Sequence, residues 1–94
     1  MANPHRDGVL GLIDDLQALQ RLDSLYQMTE QWHELRDVLE HEAELVINPD
    51  EVIGFKFRIG ALWEHHLGEI ARAVDVYREI LDVVPDHPET IEAL

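Results

Sequence analysis

Apolar residues return every three or four positions along almost the whole chain, the spacing of one face of an α-helix. Four runs stand out. The first is Leu12, Leu16, Leu19, Leu22 and Tyr26, ending near Met28. The second is Trp32, Leu35, Leu39, Ala43 and Val46. The third is Val52, Phe55, Ile59, Leu62 and Trp63, and the fourth is Ile70, Ala73, Tyr77, Ile80 and Val84. A two-residue alternation through Ile53, Phe55, Phe57 and Ile59 lies inside the longer helical pattern and does not outweigh it. The breaks fall where helices stop. Thr29 is expected to cap the second helix. Asn48-Pro49-Asp50-Glu51 sets a capping side chain, a first-turn proline and a glutamate in capping-box order before the third. Gly68 is expected to close the third helix in a left-handed conformation. Pro85-Asp86-His87-Pro88 ends the fourth, and Asp86 with Glu89 makes a second capping box for a short fifth helix reaching Leu94.

The third run is apolar on more than one side, as in a helix sandwiched between neighbours. An internal repeat supports that central place. An offset of 37 carries Tyr26 onto Trp63 and Leu22 onto Ile59, and an offset of 38 carries Leu35 onto Ala73 and Leu39 onto Tyr77. The chain therefore divides into residues 1–10, a disordered or cloning-derived N-terminus; 11–47, a divergent helix pair; 48–85, a second pair; and 86–94, the start of a capping or third-repeat helix. The expected fold is all-α: tandem antiparallel helix pairs stacked as an α-solenoid, about four helices plus a short C-terminal one. The echo of Gln17-Ala18-Leu19 in Glu92-Ala93-Leu94 suggests a third unit beginning, hence a fragment of a longer array.

Residues 50–88 resemble the tetratricopeptide repeat. Ile59-Gly60-Ala61-Leu62-Trp63, then Gly68, Ala73, Tyr77 and Pro85, follow that family's order of large apolar residue, glycine, aromatic, turn glycine, small residue, aromatic and proline. One extra residue separates Trp63 from Gly68. The first pair keeps Tyr26 but has Asp23 at the glycine position, Glu30 at the turn, and Leu35 and Leu39 in place of the small and aromatic residues. The resemblance implies a right-handed α-solenoid in which Gly60 and Ala73 let two backbones approach while Trp63 and Tyr77 fill the space around them. It also implies a partner segment lying on the concave face. The residues matching that face include Gln20, Ser24 and Gln27 in the first unit and Phe57, Ala61, Glu64 and His65 in the second. Phe57 suits either ligand or neighbour-repeat contact, or plain packing. The Lys/Asn carboxylate clamp of some family members is not reproduced: Gln20, Ser24, Phe57 and Ala61 hold the matching positions.

Charge narrows the partner. Twenty acidic and seven basic residues give a net charge of -13. Nucleic acid and anionic membranes are disfavoured, and a basic or apolar peptide is favoured. No cysteine is present, so disulfides and thiolate metal sites are excluded. No apolar run approaches the ~20 residues that span a bilayer, and the first residues lack signal-peptide order, so a cytoplasmic location is expected. His33, Asp37 and His41 share a helix face but span about 12 Å at 1.5 Å per residue, too far to meet on one ion, so neither metal nor cofactor is expected. Carboxylate pairs such as Asp14-Asp15 and Glu42-Glu44 are read as chance neighbours in an acidic chain. With no nucleophile motif or phosphate loop, catalysis is not expected. The expected function is a protein-interaction or scaffolding module. The alternative is a structural solenoid segment that associates with itself as a homo-oligomer through uncapped repeat faces.

Overall fold

The computed structural model describes residues 15–94. Residues 1–10 and Leu12 of the first apolar run lie outside them. The described residues form five helices and no strand: α1 (Leu16–Met28), α2 (Trp32–Leu45), α3 (Pro49–His65), α4 (Ile70–Val83) and α5 (Pro88–Ala93). Each helix packs on the next in sequence, α1 on α2, α2 on α3 and α3 on α4, with α5 resting against α4. The third helix therefore has neighbours on two sides. That explains its apolar positions on more than one face, where Ile53, Ile59, Leu62 and Trp63 are all buried.

The helix ends follow local chemistry. Asp15 caps α1 by accepting from the Gln17 N–H at 2.9 Å. Asn48 caps α3 by accepting from the Asp50 N–H at 2.8 Å, with Pro49 in the first turn. Thr29, expected to cap the second helix, instead ends the first: its hydroxyl donates back to the Leu25 carbonyl at 2.8 Å. Gln31 occupies the N-cap of α2 and makes no side-chain capping bond. The chain between these helices closes as a Schellman turn. The Gln31 N–H donates to the Tyr26 carbonyl and the Glu30 N–H to the Gln27 carbonyl. Such a turn needs a left-handed residue, and here it is Glu30, at φ 56°. Gly68 fills the same need after α3, at φ 71°. The cap of α5 also differs from the expected one. His87, not Asp86, accepts from the Thr90 N–H through its ring nitrogen.

One continuous core runs through α2, α3 and α4: Leu35, Leu39, Ile53, Ile59, Leu62, Trp63, Ala73, Tyr77 and Ile80. Gly60 gives the closest approach in it. A Cβ there would stand 2.5 Å from Tyr77 Cε1, so the absent side chain is what admits the Tyr77 ring. Trp63 is gripped from both neighbouring helices, with the Arg36 and Arg72 guanidinium carbons 5.0 and 5.1 Å from its ring centroid. No described helix is long and apolar enough to cross a membrane.

Candidate partner-binding site

The seven residues expected to face a partner do not form one surface. Gln20, Ser24 and Gln27 recur at helical i, i+4 and i+7 spacing along the exposed side of α1. Gln20 and Ser24 border a hollow of about 510 Å³ whose described lining comes from α1 alone, with Gln17, Arg21, Leu25 and Met28. Gln27 belongs to a second crevice, where it meets Ala61. That crevice, of about 250 Å³, opens where α1, α2 and α3 converge. Leu35, Leu39 and Leu62 make it apolar, Arg58 and Gln27 make it polar, and Trp32 and His66 complete it. The last two rings stack on each other with centroids 3.8 Å apart.

The other three expected residues are occupied or apart. Phe57 turns into the fold, packing against Tyr77 and His87 with ring centroids 5.7 and 6.0 Å away. Of the two roles open to it, these contacts are the packing one. Glu64 accepts a hydrogen bond from the Tyr77 hydroxyl at 2.9 Å. Burial and that carboxylate together push the Tyr77 phenol far above its ordinary range. His65 is exposed near the end of α3.

Beside the crevice lies a polar cluster that periodicity hid. Asp23 of α1 is buried and accepts two bonds from the Arg58 guanidinium of α3, at 2.6 and 2.9 Å. Gln27 donates to the same carboxylate at 2.7 Å. Burial alone would raise the Asp23 carboxyl, but hydrogen bonds from Arg58, Glu42 and Gln27 outweigh it and hold it below the ordinary value. Glu42 of α2 is only 1% exposed, and neither of its oxygens receives a hydrogen bond. As a carboxylate it would be a buried charge without a donor. As the neutral acid its O–H donates to Asp23, which satisfies both groups. Burial first, and the Asp23 carboxylate second, raise Glu42 to about 8. The chance-neighbour reading of Glu42 with Glu44 is therefore corrected: Glu42 pairs across helices with Asp23, and Glu44 is exposed. The sequence carried a signal for this. Asp23 sits four residues after Leu19 and Glu42 three after Leu39, so both acids stand on the apolar stripes of their helices.

Further charge pairs among the described residues lie nearer the exterior. Lys56 pairs with Glu79 at 3.0 Å, Arg72 with Glu69 at 3.1 Å and Arg36 with Asp37 at 2.7 Å. Each pair cancels one acid with one base, so the acidic surplus of the sequence remains. Among the described residues, no three His, Asp or Glu side chains gather in a metal-binding group. Comparison with protein-family models, curated proteins and solved structures gives no match to this chain.

Proposed function

We propose that this chain is a protein-interaction module in which a partner segment runs along α1 and seats an apolar side chain in the crevice between α1, α2 and α3. The observation that carries the reading is the crevice itself. Three helices meet there, and residues of both repeat units line it, Gln27 from the first and Ala61 from the second. Its volume of about 250 Å³ is below the ~300–1,000 Å³ of small-molecule sites, which suits one side chain better than a whole ligand. The Gln20, Ser24 and Gln27 stripe offers amides and a hydroxyl to the backbone of such a segment. The net charge of -13 favours lysine or arginine beside the apolar anchor. In this reading the helix pairs are tandem units of a right-handed α-solenoid similar to tetratricopeptide repeats, without cofactor or catalysis.

Selection of random peptides on the immobilised chain tests it. The expected winners carry an apolar residue flanked by basic ones, and they lose binding to Ala61→Arg while its helical circular dichroism is unchanged. Peptides that bind Ala61→Arg as well as the unaltered chain, or no enrichment at all, would sink the proposal. A second reading, self-association of a structural array, rests on Val83, Ile91 and Leu94, which remain 64, 51 and 57% exposed around α5.

A further inference from the structure

Three helices meet at three charged side chains whose signs do not balance. From α1 comes Asp23, from α2 Glu42, and from α3 Arg58. The two helices packed against α2 are α1 and α3. The charged groups they turn toward Glu42 are Asp23 and Arg58, and these are the groups that bear on its ionisation. One guanidinium, already spent on two bonds to Asp23, faces two buried carboxyl groups. A proton on Glu42 resolves the mismatch, because the acid then donates to Asp23 and the cluster contains one anion and one cation.

We propose that Asp23, Glu42 and Arg58 form a proton-operated clamp that holds α1 to α2 and α3, and that loss of the Glu42 proton loosens α1. The proposal goes beyond the partner-binding reading and stands without it. The two are neighbours in space, however, since Arg58 and Gln27 both hydrogen-bond to Asp23 and both line the crevice.

The sign of the effect follows from linkage. The folded Glu42 keeps its proton up to about 8, whereas in the unfolded chain it loses it near the ordinary value of 4.5. Between those limits the folded state holds one more proton than the unfolded state. The stabilisation is complete below pH 4.5 and is lost as pH rises toward 8. One proton makes the folding equilibrium fall on the order of tenfold per pH unit in that window. Asp23 acts oppositely. Its lowered folded value means that its contribution is present above 3.8 and is lost as pH falls below that. Stability should therefore peak on the acid side of neutral.

The clamp is tested by carboxyl carbon NMR titration of the intact chain, with urea unfolding of wild type and Glu42→Gln across pH 5–9. The amide introduced by Glu42→Gln would donate an N–H to Asp23 at every pH, as the protonated acid does. The expected results are a Glu42 carboxyl that titrates far above the other glutamates, a wild type that loses stability across this range, and a Glu42→Gln variant without that loss. Hydrogen exchange at pH 8.5 should be faster in the α1 amides of wild type than in those of the variant. A Glu42 carboxyl that titrates near 4.5 would overturn the proposal, and so would superimposable stability profiles. Should Glu42→Gln not fold, Glu42→Leu replaces it in the unfolding comparison, and the wild-type titration decides by itself.

Discussion

Two single positions record what each turn and helix crossing demands of a side chain. Glu30 carries a Cβ at φ 56°, where non-glycine residues are disfavoured, and the corresponding residue after α3 is Gly68. Glu30→Gly should therefore stabilise the chain by about 0.5–1 kcal/mol, read as a higher urea midpoint with unchanged slope. Gly60 is the reverse case. Gly60→Ala drives a Cβ into the buried Tyr77 ring and should cost about 1–3 kcal/mol in the same measurement. The importance of Gly60 was legible from its place in the repeat signature, and so was the departure at Glu30. The resemblance also put Tyr77 in the space around Gly60; what spacing along a helix does not give is that the Tyr77 ring takes the very place of a Gly60 Cβ.

At the scale of elements, helix periodicity carries most of the information. The five helices begin and end close to where apolar spacing, Asn48-Pro49, Gly68 and Pro85-Pro88 put them, since these features act within a few residues of the chain. Capping was less legible. Thr29 and Asp86 have suitable side chains, but the backbone path gives the α1 end to Thr29 and the α5 cap to His87. The Asp23–Glu42–Arg58 cluster was harder still, because an acid on an apolar stripe reads as noise until the partner helix is known. Arg58→Met should cost about 3 kcal/mol, at the low end for breaking a buried ion pair because the Arg58 side chain is 39% exposed. A combined Asp23→Leu, Glu42→Met, Arg58→Met variant should recover most of that loss in urea unfolding, since it removes every member of the cluster. Asn48→Ala should cost about 1 kcal/mol by removing the α3 cap.

At the scale of the whole molecule, the expected concave surface divides. Gln20, Ser24 and Gln27 remain together along α1, Ala61 joins Gln27 at the three-helix crevice, and Phe57 and Glu64 are drawn into contact with Tyr77. Two contacts make the division: the Phe57 ring packs on Tyr77 and His87, and Glu64 accepts a hydrogen bond from the Tyr77 hydroxyl. The self-association reading predicts a sedimentation coefficient that rises with concentration and returns to the monomer value on Ile91→Lys. The partner-binding reading predicts a concentration-independent monomer.

In the proposed function a partner's apolar side chain occupies the crevice between α1, α2 and α3. Amide and indole NMR with a selected basic-apolar peptide tests it most directly. Shifts that saturate with peptide are expected at Gln27, the Trp32 indole, Ala61 and His66. Shifts confined to Lys56, Val76 and Glu79 on the opposite side of α3, or to Ile91 and Leu94 at the far end, would contradict it.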